Sequence, residues 1–168
     1  DCIKALGKSS VIEVTELSCE NKGINDIRGL ENFTSITKLN LNDNEMPYNE
    51  DAFIYRVAPI LSKMTQLKEL YLKNTKSTIK LVENLVNLEI LDISNTKNLS
   101  VEWIKDYTKL KILKTNNTSF GTHLNGISNF TNLEELHASS TDLSNDDLEH
   151  LKNMTSLKVL DVSKNTNI

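Results

Sequence analysis

One short pattern recurs along almost the whole chain. A leading apolar residue is followed three and five positions later by further residues that are mostly apolar, as in Leu67, Leu70 and Leu72. Seven such units begin at residues 14, 36, 67, 88, 110, 133 and 157, which places them 22, 31, 21, 22, 23 and 24 residues apart. A unit of this length cannot enclose a core of its own, so its neighbours must cover it. The chain is therefore predicted to fold as a stack of repeated units.

Each unit is predicted to contain one short strand and a crossover that returns the chain to the same edge. Leu70 and Leu72 alternate with Glu69 and Tyr71, which is the period of a strand. Several crossovers have the spacing of one or two helical turns, and residues 144–154 begin with the capping pattern Ser-Asn-Asp-Asp. The predicted fold class is α/β. It is a curved, right-handed solenoid with a parallel sheet on the concave face and short helices and loops on the convex face.

A period of 20–29 residues with this pattern is the signature of leucine-rich repeats, and the chain resembles that family over nearly its whole length. Three residues after the third apolar position, the family usually carries an Asn whose amide bonds neighbouring loop backbone. Asn44 and Asn165 hold this position in two units, and Lys22 holds it in the first. Thr makes a shorter version of the same contact. It holds the position in the four middle units, at Thr75, Thr96, Thr118 and Thr141. The Ser-Asn-Thr and Ser-Ser-Thr turns resemble those of bacterial internalin-like proteins and related secreted or effector proteins.

The chain divides into an N-terminal cap, residues 1–13, and a repeat domain of about seven units, residues 14–168. The second unit is long, and an amphipathic helix is predicted over 49–64, with Pro59 kinking or restarting it. This segment is either a longer convex helix or an insertion that touches a partner. The last unit is incomplete, so its strand edge is expected to be exposed. Either further chain or another molecule would then cover it, including a second copy associating end to end.

Composition excludes two classes of partner. The chain carries 19 basic and 23 acidic residues, a net charge of −4, and shows no basic stripe for phosphate groups. Nucleic acid is therefore not expected to bind. No apolar run approaches the roughly 20 residues of a membrane-spanning helix, so membrane insertion is not expected either.

No catalytic or cofactor motif is recognisable. The histidines lie in different units, and the sequence has neither a glycine-rich phosphate loop nor a CxxC or HExxH pattern. Asp92, His137 and Asp161 share one face, but Lys114 lies between the first two, so no metal site is expected. Two classes of function remain. One is a non-catalytic module that binds a protein, and the other is the substrate-recognition part of a longer enzyme, such as a leucine-rich-repeat ubiquitin-ligase effector.

The outward strand positions predict where a protein partner binds. Ile90 and Ile112 fall side by side with Tyr71 near them, and charged residues surround the three. An apolar centre with a polar rim is the usual anatomy of an interface. Alternatively, a partner binds the convex side or an edge. Asp92 and Lys114, which lie on adjacent strands, could simply pair with each other. The predicted partner-binding residues are Glu69, Tyr71, Ile90, Asp92, Ile112, Lys114, Glu135 and His137.

The family resemblance also bears on the two cysteines. Many secreted leucine-rich proteins cap the first unit with cysteines, so the resemblance implies a disulfide between Cys2 in the cap and Cys19 in the first strand unit. It also implies a secreted or cell-surface location. The alternatives are two free buried thiols in a cytosolic protein, and delivery to a host cytosol as an effector.

A disulfide predicts a measurable mass and stability difference. Protein purified without reductant should be lighter than the reduced chain by two hydrogen atoms on mass spectrometry. Reduction should lower the melting temperature, because closing a loop of about 17 residues contributes roughly 3 kcal/mol. Two thiols that alkylate freely in the unreduced protein would contradict the pairing.

Overall fold

The computed structural model describes residues 11–46, 57–75, 84–96, 104–119 and 126–168. These residues contain a parallel sheet of seven strands whose spatial order follows the chain order. Short helical turns lie between several strands, so the predicted α/β repeat solenoid is confirmed. The strands are β1 (Glu16–Ser18), β2 (Lys38–Asn40), β3 (Glu69–Tyr71), β4 (Ile90–Asp92), β5 (Ile112–Lys114), β6 (Glu135–His137) and β7 (Val159–Asp161).

The strands pair without any register shift. Between β3 and β4, for example, Leu70 lies opposite Leu91, and Tyr71 lies opposite Asp92. The middle residue of every strand is a leucine, and in β1 to β6 these leucines are at most 1% exposed. The inward leucines therefore form one continuous core column, while the residues on either side of them form two columns on the opposite face of the sheet.

Several of the described segments outside the strands form short helices. The α-helices are α1 (Ala58–Leu61) and α2 (Asn145–Leu148). The 3-10 helices are Val11–Glu13, Leu30–Asn32, Ile127–Asn129 and Glu149–Leu151. Pro59 lies in the first turn of α1, where its missing N–H breaks no helical bond. This agrees with the predicted restart, and the part of the predicted 49–64 helix before residue 57 lies outside the described residues.

The N-terminus of α2 has the cap that the sequence predicts. The Asp147 carboxylate accepts hydrogen bonds from the Ser144 backbone N–H at 2.9 Å and from its hydroxyl at 2.6 Å. A carboxylate in the first turn also interacts favourably with the helix dipole.

The recurring geometry of the turns depends on buried polar side chains. Asn44, which is 1% exposed, accepts hydrogen bonds from the backbone N–H groups of Lys22 at 3.0 Å and Ile24 at 2.9 Å. Its amide donates to the carbonyls of Cys19 at 2.8 Å and Leu41 at 2.9 Å. One side chain thus satisfies backbone groups of two consecutive units that would otherwise be buried without partners.

The other units use the same position in two ways. Asn165 repeats the arrangement of Asn44 between the last two units. Thr118 also joins two units, because its hydroxyl donates to the Ile93 carbonyl at 2.9 Å and accepts from the Thr96 N–H at 3.4 Å. The remaining threonines donate to the carbonyl three residues earlier in their own unit, namely Thr75, Thr96 and Thr141. The predicted Thr version of the asparagine contact is therefore confirmed.

A second ladder of amides follows the strands, and sequence reasoning missed it. Asn74, Asn95 and Asn117 have left-handed backbone with φ of 57°, 57° and 54°. Asn and Asp adopt this conformation more readily than other residues with a Cβ. The amides link successive units: Asn74 donates to Asp43 at 2.5 Å, Asn95 to Asn74 at 2.6 Å, and Asn117 to Asn95 at 2.9 Å.

The residues just before strands β3 to β7 alternate in charge. Glu89 lies 2.7 Å from Lys111 and 3.8 Å from Lys68, and Glu134 lies 2.6 Å from Lys158. The lysine partners hold the pKa of both carboxyls below the ordinary glutamate value. Exposed pairs of this kind add little stability. If a strand paired with the strand two units away and not with its neighbour, however, residues of like charge would lie side by side.

The edge of β7 differs from the rest of the sheet. Leu160 is 46% exposed and Val159 is 41% exposed, whereas Leu136, the equivalent of Leu160 in β6, is 0% exposed. The expected exposure of the last strand is thus present. End-to-end self-association through this edge stays a prediction.

The hydrogen bonds of Asn44 predict a large loss of stability when its side chain is removed. Asn44→Ala should lower the free energy of unfolding by about 3 kcal/mol, because it leaves several buried backbone groups without partners. Urea denaturation measures this value. The control is Asn153→Ala, an exposed residue whose side chain bonds none of the described residues, which should change stability by less than about 0.5 kcal/mol. A loss below about 1 kcal/mol in the Asn44 variant would contradict this role.

Candidate functional site

The two outward columns of the sheet bring the predicted partner-binding residues together. All eight lie on the adjacent strands β3 to β6, two from each strand, and the register places them in two rows of four. We call this set the sheet-face patch. Its members are Glu69, Tyr71, Ile90, Asp92, Ile112, Lys114, Glu135 and His137.

The centre of the sheet-face patch is apolar. Ile90 and Ile112 are direct register partners on β4 and β5, and both side chains are half-buried. Neighbouring strands lie about 4.8 Å apart, so the two branched side chains form one small continuous apolar surface. Glu69 and Glu135 are the next residues of the same column on either side.

Tyr71 is held in place by an ion pair that spans two strands. Its hydroxyl donates to the Glu69 carboxylate at 2.8 Å, and the Lys38 ammonium lies 3.1 Å from the same carboxylate. The ammonium also lies 5.8 Å from the centroid of the Tyr71 ring, within the range of a cation–π contact. Burial, followed by the Glu69 hydrogen bond, raises the pKa of Tyr71 well above its ordinary value of 10.0.

Lys38 is a member of this cluster that sequence reasoning missed. The signal was present in the repeat alignment, because Lys38 and Glu69 occupy the same position in neighbouring units. The hydrogen bond and the charge of the Glu69 carboxylate raise the pKa of Lys38 above the ordinary lysine value.

On the other side of the patch, Glu135 and His137 contact each other. They lie two residues apart on β6, hence on one face, with 3.2 Å between the His137 Nε2 and the Glu135 carboxylate. This contact orients the imidazole on the sheet face.

Asp92 has a different environment from the charged rim position that the sequence predicts. It is only 8% exposed, and its carboxylate accepts the Ser94 backbone N–H at 3.0 Å. Asp161 makes the same short turn with Ser163, also at 3.0 Å. The suggested pair between Asp92 and Lys114 does not occur among the ion pairs of the described residues, because the turn engages the carboxylate instead.

A polar cleft of about 330 Å³ lies at the carboxyl ends of β4 to β6, beside the apolar centre. It shares Asp92, Lys114 and His137 with the sheet-face patch. Sequence reasoning missed its other lining residues, although three of them occupy one repeat position, two residues after a strand ends. The remaining lining residues are Lys73, Ser94, Asn95, Asn116 and Asn117.

In the parts of the chain that the structure describes, no group of three or more His, Cys, Asp or Glu side chains is placed to hold a metal ion. The same parts contain no helix of the length and apolar character needed to cross a membrane.

Cys19 follows β1 and points into the core. It is 0% exposed, and its backbone N–H donates to the Asn40 carbonyl at 2.8 Å. Cys2, its predicted disulfide partner, lies outside the described residues.

Comparison with known proteins finds similarity among solved structures alone. No family model matches the chain, and no curated protein does. The chain superposes on the internalin InlF of Listeria monocytogenes with a TM-score of 0.78 and 25% identity, covering 90% of this chain and 42% of that one. It therefore spans less than half of the InlF structure. Internalin C2 of the same species gives a TM-score of 0.65 and 21% identity, covering 94% of this chain and 78% of that one.

A plant structure shares the same repeat architecture. The leucine-rich repeat ectodomain of the Arabidopsis thaliana receptor kinase GASSHO1/SCHENGEN3, solved in complex with CASPARIAN STRIP INTEGRITY FACTOR 2, gives a TM-score of 0.61 and 21% identity. The match covers 82% of this chain and 16% of that one.

The environment of Tyr71 predicts the effect of removing its charged neighbour. In Glu69→Gln, the pKa of Tyr71 should fall towards 10.0, because the carboxylate that disfavours the tyrosinate is gone. It should remain above that value, because burial still disfavours the charged form. Tyrosinate absorbance during an alkaline titration measures the shift, with Tyr71→Phe as the reference that removes the signal. An unchanged titration in the Glu69 variant would contradict the assigned contact.

Proposed function

Because the chain is an internalin-like leucine-rich repeat protein, we propose that it is a non-catalytic module that binds a protein partner through the sheet-face patch. The observation that carries the proposal is the pairing of Ile90 with Ile112 at the centre of a patch whose other six members all carry a polar or charged group. A solvated surface has no need of two adjacent branched apolar side chains at the middle of four strands, whereas an interface centre does.

The patch is suited to tight contact. Apolar area removed from water contributes roughly 25 cal/mol per Å², so covering the isoleucines favours association. Tyr is among the residue types that most often dominate interface energies. The hydrogen bond from Tyr71 to Glu69 and the nearby Lys38 restrict the ring before binding. Less side-chain entropy is then lost when the partner binds.

We also propose a secreted or cell-surface location in a bacterium, with a Cys2–Cys19 disulfide. The likeness to the internalins supports the bacterial assignment. No cysteine among the described residues is a free thiol, and the sequence contains only one cysteine besides Cys19. A structural disulfide persists in oxidising compartments, which favours a place outside the cytosol.

Charge substitution at the centre of the patch tests the proposed function. Candidate proteins exposed on host or neighbouring cell surfaces are first screened for binding to the intact chain. Ile90→Asp combined with Ile112→Asp should then weaken binding to the partner found by at least about 100-fold, because truncating or charging an interface centre costs 2 kcal/mol or more per residue.

A matched control separates the patch from a general effect of added acid. Val11 and Val86 are exposed apolar residues outside the patch, each 41% exposed. Val11→Asp combined with Val86→Asp changes the net charge equally and should leave binding unchanged. Circular dichroism and the melting temperature verify that both double variants fold. Full binding by the folded isoleucine variant would show that the partner contacts another surface.

A further inference from the structure

We propose that the cleft at the carboxyl ends of β4 to β6 receives the carboxylate of an acidic side chain from the protein partner. This inference rests on the proposed function and deepens it, since the cleft adjoins the sheet-face patch. It assigns the cleft a chemical class of ligand, an ionised aspartate or glutamate side chain in an exposed segment.

The cleft holds two lysines whose charges have no partner among the described residues. Neither Lys73 nor Lys114 forms an ion pair within 4.0 Å or a side-chain hydrogen bond with any residue that the structure describes. Elsewhere on the sheet, lysines are neutralised by glutamates at 2.6–3.1 Å, as Lys38, Lys111 and Lys158 are. Lys73 and Lys114 differ from these three lysines, because no carboxylate among the described residues lies within ion-pairing distance of either ammonium.

Neutral side chains of the cleft also offer hydrogen-bond donors. The Asn116 carbonyl oxygen accepts the Ser139 backbone N–H at 2.9 Å, which fixes the orientation of this amide. Its Nδ2 has no acceptor among the residues described, and the same holds for the Ser94 hydroxyl. Both groups line the cleft together with the lysines. A carboxylate accepts several hydrogen bonds at once, so it complements such a set of donors.

The one carboxylate that lines the cleft already accepts a hydrogen bond. Asp92 is 8% exposed and accepts the Ser94 backbone N–H, so it is poorly placed to neutralise the lysines. The cleft thus has two positive charges against one shielded negative charge, in a chain whose net charge is −4. Its volume of about 330 Å³ lies at the small end of ligand sites, which suits one side chain.

The position of the cleft relates it to the apolar centre. Lys114 directly follows Leu113 on β5, whose first residue is Ile112. Consider a partner segment that places an apolar residue on Ile90 and Ile112. An acidic residue of that segment only a few ångströms from the apolar one would then reach the cleft. Charge complementarity of this kind adds specificity and selects the binding register.

Titration with small peptides tests the cleft without the unidentified partner. The intact chain, labelled with nitrogen-15, is titrated with acetyl-Gly-Glu-Gly-amide and separately with acetyl-Gly-Gln-Gly-amide. The Glu peptide should cause saturable shifts of the Ser94, Lys114 and Asn116 amide signals. The Gln peptide should bind at least about tenfold more weakly, because it lacks the charge. Absence of saturable shifts with the Glu peptide, or equal binding of both peptides, would overturn the assignment.

Matched lysine variants test whether Lys73 and Lys114 bind the peptide carboxylate. Lys73→Gln with Lys114→Gln should weaken binding of the Glu peptide at least about tenfold. Lys68→Gln with Lys158→Gln makes the same change in net charge at the amino ends of β3 and β7 and should leave binding intact. An equal loss in both double variants would indicate a general charge effect and overturn the proposal.

A third titration uses inorganic phosphate. If phosphate binds the cleft at least tenfold more tightly than the Glu peptide, the site selects a different anion and the carboxylate assignment is wrong. None of these titrations involves the protein partner. A negative result would therefore overturn the cleft assignment alone, and the isoleucine variants would still test the proposed function of the sheet-face patch.

Discussion

The structure depends on the stacking of strands that are too short to fold alone. Each strand has three residues, and the inward leucines of β2 to β6 are buried because the units before and after each of them supply matching leucines. Such close stacking also buries the backbone of the turns, whose N–H and carbonyl groups then need partners. Asn44, Asn165 and Thr118 satisfy these groups across unit boundaries, so apolar packing and turn hydrogen bonding are parts of one constraint.

The same register that builds the core also builds the candidate binding surface. Because no strand is shifted against its neighbour, residues at one repeat position become lateral neighbours in space. The isoleucines of two units thus merge into one apolar surface. The residues that follow the strands merge into the polar cleft. A partner would meet an apolar centre and a positively charged recess within one small area, and neither exists in a single unit.

Much of this arrangement was predictable from the sequence, and the features that were not predicted have definite physical causes. Repeat spacing predicted all seven strands and both outward columns, since strand period and parallel stacking leave no other register. The amide ladder through Asn74 and Asn95 was missed because its bonds join exposed side chains, which leave no hydrophobic pattern. Asp92 was placed in the rim because its outward position is visible in sequence. Its burial and its hydrogen bond with the Ser94 backbone N–H are not visible there, because both arise only in the folded chain.

The sequence by itself determined the fold class, the register and the identity of the residues on the sheet face, because each follows from the repeat period and the alternation along a strand. The tertiary structure decided which charges on that face are free. Lys38 and Lys114 both occupy outward positions, yet Lys38 is paired with Glu69 while Lys114 opens into the cleft. The physical reason is that ion pairing depends on distances of a few ångströms between side chains of different units. Repeat spacing fixes the positions of the backbone but leaves these rotamers to the surrounding contacts.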